Sequence, residues 1–119
     1  MALGPAFIQL ANQAKARIKE IDITQLSELK NQNIPFHLID IREQNEWLYG
    51  VIPDAVLITK GLIEHEIERV VPNKEDVVVL YCGGGLRSAL AADNLQLMGY
   101  TKVFSLQGGY GAWKAANPV

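Results

Sequence analysis

The sequence predicts an α/β fold: a central, mostly parallel sheet with helices on both faces, and a helical extension ahead of it. Three observations carry this. From Ile21 onward, short apolar runs alternate with helix-period patterns, the order expected of strand–helix–strand units. Val77-Val78-Val79-Leu80-Tyr81 is nearly all apolar and β-branched, as a central strand covered on both faces must be. The chain has 119 residues, 49% hydrophobic and 20% charged, which suits one soluble domain able to bury about two-thirds of its unfolded surface.

Phe7, Leu10, Ala11, Ala14 and Ile18 lie on one face of a predicted helix over 5–20, with Pro5 in its first turn. Lys15, Arg17 and Lys19 gather towards its other end. A basic amphipathic helix suits a membrane surface or a partner. The narrow, alanine-rich face favours packing on its own domain instead. Residues 1–20 are therefore the extension and 21–119 the domain. Thr24 is the expected N-cap of a helix to about Gln32, with Leu26 and Leu29 inward. Phe36 to Ile41 reads as a strand ending in charge, and Ala55 to Ile58 as another. Ile63, Ile67, Val70 and Val71 mark a helix stopped by Pro72. After the central strand, Leu86 to about Met98 is helical and closed by Gly99. Val103 to Leu106 is the last strand and Gly111 to Ala116 the last helix.

Composition excludes several classes. A net charge of −2 exerts no general pull on nucleic acid. No apolar run approaches the roughly 20 residues that span a bilayer, and the first residues lack a basic segment ahead of an apolar stretch, so they do not read as a signal peptide. With one cysteine there is no disulfide framework, and the expected setting is a reducing cytoplasm in which Cys82 is free to work.

Chemistry concentrates in Tyr81-Cys82-Gly83-Gly84-Gly85-Leu86-Arg87-Ser88. In open α/β sheets ligands bind at the carboxyl ends of strands, where this cysteine stands. Three glycines let successive N–H groups curl inward as an anion nest, and the next helix adds its positive end. Arg87 adds a fixed charge. Together they favour thiolate over thiol and would also hold an anionic substrate. The plainer alternatives are a small buried hydrophobe, a tight strand–helix turn and an arginine capping a carboxylate. The combination is hard to explain by packing alone, since glycine triplets are costly in backbone entropy. A nucleotide P-loop fails, because no lysine follows the glycines.

The run Cys82-Gly83-Gly84-Gly85-Leu86-Arg87-Ser88 resembles the active-site loop of the rhodanese sulfurtransferases. Leu38-Ile39-Asp40-Ile41-Arg42-Glu43 is similar to the family's Asp-x-Arg-Glu signature. Glu46-Trp47 with Gly50-Val51-Ile52-Pro53-Asp54-Ala55 is similar to its acidic-aromatic, Gly-His-Ile-Pro-Gly-Ala segment. Leu106-Gln107-Gly108-Gly109 with Ala112-Trp113 is similar to its closing element. The four motifs span about residues 21–116. Val51 replaces the family's histidine and Asp54 its second glycine. Gly83 stands where the family often has arginine, leaving Arg87 as the loop's single cation. Four residues separate Cys82 from Arg87, one fewer than in phosphatases of this fold, which resemble it with a wider ring.

The resemblance implies a single rhodanese-like domain with a five-stranded sheet and a two-step transfer. Cys82 would take a sulfane sulfur from an anionic donor such as thiosulfate, carry it as a persulfide, and pass it to cyanide, a thiol or a carrier protein. Gly83, Gly84, Gly85, Leu86, Arg87 and Ser88 would hold the donor, without cofactor or metal. This requires an exposed Cys82 with loop N–H groups converging on it. The alternatives are a sulfur-carrier or protein-binding module with little turnover and, less well supported, a small cysteine phosphatase or arsenate reductase. Asp40 and Arg42 read as a supporting ion pair beside the loop. His37 and His65, without a ligand cluster, read as structural or solvated. Trp47 and Trp113 read as packing anchors, Gly108-Gly109 as an ordinary turn, and Lys60 as a rim cation that steers anions.

Overall fold

Why the strand ending at Tyr81 lies at the centre follows from its side chains. In β4 (Val78–Tyr81) all four residues are buried, and successive side chains face opposite sides. Val78 and Leu80 join a core with Ile63, Ile67, Ala91, Ala92 and Leu95. Val79 and Tyr81 join a second core with Leu26, Tyr110 and Trp113. The computed structural model describes residues 3–118. Around β4 stand β1 (Lys19–Ile21), β2 (His37–Asp40), β3 (Val56–Leu57) and β5 (Val103–Leu106), in the order β1-β5-β4-β2-β3, every pair parallel. The first core is closed by α4 (Ile63–Val70) and α5 (Leu86–Leu97), the second by α2 (Ile23–Asn31) and α6 (Gly109–Ala116). A single turn, α3 (Gln44–Trp47), follows β2.

The extension forms a further layer. In α1 (Pro5–Lys15), Ala11 and Ala14 are wholly buried as the helix packs on α5. Arg17 donates Nε to Asp93 Oδ1 at 3.1 Å and Nη2 to Oδ2 at 2.7 Å, and Gln96 Nε2 donates to the Arg17 carbonyl at 2.9 Å. The alanine-rich face thus packs on its own domain. The helix is shorter than its periodicity predicts, ending at Lys15, and Lys19–Ile21 pair with β5 as an edge strand. Ile18 continues the helical spacing, but it meets the first core from the chain that links α1 to β1. Asp22, not Thr24, caps α2: its Oδ1 accepts from the Gln25 N–H, and Gln25 Oε1 accepts from the Asp22 N–H, each at 2.8 Å. The reciprocal pair satisfies two donors where Thr24 would satisfy one. The last helix begins two residues early, at Gly109.

Candidate active site

Two glycine turns meet at the carboxyl end of the sheet. One runs from Cys82, past the end of β4, through Gly83–Gly85 into α5; the other leads from β5 through Gly108 into α6. The first N–H groups of a helix have no partner within it. In α6, the Tyr110 N–H is donated to the Cys82 carbonyl at 2.7 Å and the Gly111 N–H to the Gly83 carbonyl at 3.0 Å. Gly109 sits at φ +54°, and a Cβ there would run into the Cys82 carbonyl. Gly108-Gly109 is therefore more than a turn: its bareness lets the helix seat on the cysteine loop.

That seating shapes the loop's inner face. The Cys82 and Gly83 carbonyls share their amide planes with the Gly83 and Gly84 N–H groups, which are therefore turned away from α6. The Gly85 N–H, at φ +101°, reaches Cys82 Sγ at 3.1 Å, and the Ser88 N–H reaches it at 3.4 Å. Ser88 Oγ lies 3.4 Å from Sγ and 2.7 Å from Ser105 Oγ. A Ser105 hydroxyl donating to Ser88 leaves the Ser88 proton for sulfur. The thiol stands where an N-cap oxygen stands in other helices. Burial pushes the Cys82 thiol up, but the Ser88 hydroxyl and the N–H groups of Ser88, Gly85 and Gly84 outweigh it, so its pKa lies below the ordinary value.

Cys82 is only 1% exposed, which corrects the expectation of an exposed thiol. The converging donors draw the sulfur inward, and it lines a cavity of about 310 Å³ with Leu3, Phe7, Gly84, Leu86 and Arg87. A larger hollow of about 420 Å³ near Lys30 and Asp54 is lined by no thiol. Arg87 does not stand free. Its Nη1 and Nη2 donate to Glu46 Oε2 and Oε1 at 2.7 and 3.0 Å. This pairing outweighs burial and holds the Glu46 carboxyl at about 2. A Cβ at Gly83 would stand 3.2 Å from Arg87 Nη2, so the guanidinium would have to give by a few tenths of an ångström.

Asp40 and Arg42 are buried and paired, Nη2–Oδ2 2.8 Å and Nε–Oδ1 3.1 Å. Arg42 also donates to the Gly50 carbonyl at 2.7 Å and lies 4.2 Å from the centre of the Tyr110 ring. The pair thus braces α6, which braces the loop; neither residue lines the cavity. His37 faces Asp76 at 3.0 Å and His65 faces Glu66 at 3.2 Å, both away from the thiol. Among the described residues no group of three or more metal-ligating side chains forms. Lys60 opens a 3₁₀ turn and does not line the cavity, and neither tryptophan does. Trp113 stacks on Tyr110 at 5.7 Å.

Glu46, Ser105, Leu3 and Phe7 were not singled out by sequence reasoning as site residues. Only Glu46 carried a signal, the acidic residue of its motif. The others reach the site through tertiary packing.

Residues 22–116 match the family model of the rhodanese-like domain. A sulfurtransferase of Allochromatium vinosum is 38% identical over 96 residues, covering 81% of this chain and 88% of that one. A thiosulfate sulfurtransferase of Coxiella burnetii is 31% identical over 82 residues, covering 69% and 75%. Among solved structures, a Rhodopseudomonas palustris protein of unknown function, described as a possible tyrosine phosphatase, superposes with a TM-score of 0.86 at 30% identity. That alignment covers 98% of this chain and 94% of the other, so it includes the N-terminal helix.

Proposed function

We propose, from the premise that the chain belongs to the rhodanese-like domain family, that it is a sulfurtransferase working through a Cys82 persulfide. The observation that carries this is the set of donors aimed at one sulfur: the Gly85 N–H, the Ser88 N–H and the Ser88 hydroxyl, all within 3.4 Å of Sγ. A lowered thiol pKa supplies the nucleophile without a general base. With thiosulfate, the thiolate attacks the outer sulfur. The new S–S bond forms as the old one breaks, and sulfite leaves with the electron pair. The persulfide's terminal sulfur would then carry charge near donors already in place. Cyanide or a thiol would take that sulfur and restore the thiolate. The chain has no second cysteine, so the acceptor is external, and ping-pong kinetics follow. Such chemistry suits the reducing cytoplasm.

A phosphatase reading draws on the description of the Rhodopseudomonas protein. Two features disfavour it: the four-residue gap from Cys82 to Arg87, and the guanidinium's engagement with Glu46. A sulfur carrier would load in the same way and differ in turnover. The test is intact mass before and after thiosulfate, then after cyanide, with p-nitrophenyl phosphate hydrolysis run alongside. Gain of one sulfur, removed by cyanide and absent in Cys82→Ser, supports the reading; phosphate ester hydrolysis without sulfur loading overturns it. Cys82→Ser keeps the fold while losing transfer, since serine fills the same site.

A further inference from the structure

The wall of the Cys82 cavity opposite the loop is built by the N-terminal helix, and it is apolar. Phe7, Ala11 and Ala14 stand at i, i+4 and i+7 on one face. The two alanines are wholly buried against α5, and the Arg17–Asp93 pair fixes the chain just beyond them. Phe7 is therefore held one turn further on, over the amino end of α5, where it lines the cavity with Leu3 and Leu86. The one cation lining the cavity among the described residues is Arg87, and its charge is matched by Glu46 at 2.7 Å. Gly83, beside that pair, brings no charge of its own. A dianion entering here meets hydrocarbon, a thiolate and a guanidinium whose charge Glu46 already offsets. Yet a cavity of about 310 Å³ exceeds the need of so small an ion and falls in the range of sites for organic molecules, roughly 300–1,000 Å³.

We propose that the N-terminal helix makes this a transferase for organic sulfane-sulfur donors, monoanions such as thiosulfonates (R–SO₂–S⁻) with an apolar or aromatic R group, and that Phe7 and Leu3 are the specificity-determining residues. The inference rests on the sulfurtransferase reading above. R packs against Phe7, Leu3 and Leu86 while the outer sulfur faces Cys82. The thiolate forms an S–S bond with that sulfur, and the bond to the sulfonyl sulfur breaks. The sulfinate R–SO₂⁻ leaves with the electron pair. One negative charge enters with the donor and one departs with the sulfinate, so no oxidant or reductant is needed.

The experiment measures kcat/KM for benzenethiosulfonate, methanethiosulfonate and thiosulfate, with cyanide as acceptor and thiocyanate as readout. The parent, Phe7→Ala and Phe7→Lys are compared, and sulfur loading of Cys82 is followed by mass. Truncating a contact of this size lowers the benzenethiosulfonate-to-thiosulfate ratio by about 10–100-fold in Phe7→Ala, with the methanethiosulfonate ratio falling less. Phe7→Lys places a cation in the wall, so thiosulfate kcat/KM rises, a gain that misfolding does not produce. A benzenethiosulfonate-to-thiosulfate ratio that stays within twofold of the parent in both variants overturns the role of Phe7. If thiosulfate loads Cys82 but the parent shows no preference for the aromatic over the methyl donor, this inference fails and the sulfurtransferase reading stands. If no donor loads Cys82, both fail.

Discussion

Ser88→Ala tests whether the side-chain hydroxyl, rather than the glycine loop alone, holds Cys82 as a thiolate. The substitution removes the Oγ that lies 3.4 Å from Sγ and leaves the main-chain donors, among them Gly85 at 3.1 Å and Ser88 at 3.4 Å. A hydrogen bond to a charged group contributes about 1.5–3 kcal/mol, and the long contact argues for the lower figure. At about 1.4 kcal/mol per unit, the midpoint of the thiol's alkylation profile rises by about one pH unit. The assay is the rate of iodoacetamide alkylation from acid to alkaline pH. Stability changes too, because Ser105 is fully buried and loses its 2.7 Å partner, costing about 1–3 kcal/mol. The pH dependence of stability has a definite sign. A thiol with a lowered folded-state pKa adds stability that is complete above its unfolded value of about 8.5 and is lost as pH falls through the folded one. The variant therefore shows a weaker rise of urea stability between neutral pH and about pH 9. An alkylation midpoint within about 0.3 pH unit of the parent's would refute the hydroxyl's role and leave the main chain alone responsible.

Glu46→Gln breaks the pair with Arg87. Because Glu46 is held at about 2, its contribution is complete above the unfolded carboxyl value of about 4.3 and is lost as pH falls towards 2. The stability gap between parent and variant, about 1–2 kcal/mol at pH 7 after discounting for partial exposure, closes below about pH 4 in urea titrations. Gly109→Ala must move either α6 or the Cys82 carbonyl while also holding alanine at positive φ; thermal unfolding should show a loss of about 3 kcal/mol or more. Gly84→Ala meets open space and stays within about 0.5 kcal/mol of the parent by the same measurement. Asp40→Asn leaves the Arg42 charge buried without its carboxylate and lowers stability by about 3–5 kcal/mol in chemical denaturation.

What was legible in the sequence is what depends on neighbours along the chain. Val77–Tyr81 reads as a buried strand because apolar β-branched residues crowd it. The helix after the glycines ends at Leu97, two residues before Gly99 at φ +102°, because the turn past a helix C-terminus favours a residue without a Cβ. The cysteine loop reads as an anion nest because three glycines, a helix start and an arginine lie within seven residues. Local reasoning failed where a distant contact decides. β1 is three residues long, two of them charged, and is a strand because β5 offers it unpaired hydrogen-bonding groups. Nothing between Ala14 and Ile18 announces that the helix ends at Lys15, since the apolar spacing continues through the break.

The same distinction separates the Cys82 sulfur and its donors from what surrounds them. The loop's donors come from within six residues of Cys82, so the chemistry can be read from one short motif. The charge and shape of the cavity come from elsewhere: Glu46 lies 41 residues before Arg87, and Phe7 lies 75 residues before Cys82. Read from its motif, Arg87 is either a cation awaiting an anion or the cap of a carboxylate. Read with Glu46 in place, it is half of an ion pair that holds α3 against the loop, and the cavity presents hydrocarbon where the motif promised charge. Substitutions in the loop should therefore change whether sulfur is transferred, whereas those in α1 and α3 should change from which donor. The pH profile of Cys82 alkylation and the ratio of kcat/KM between donors measure these two properties separately, and Phe7→Lys should move the second while leaving the first within the span set by one added charge.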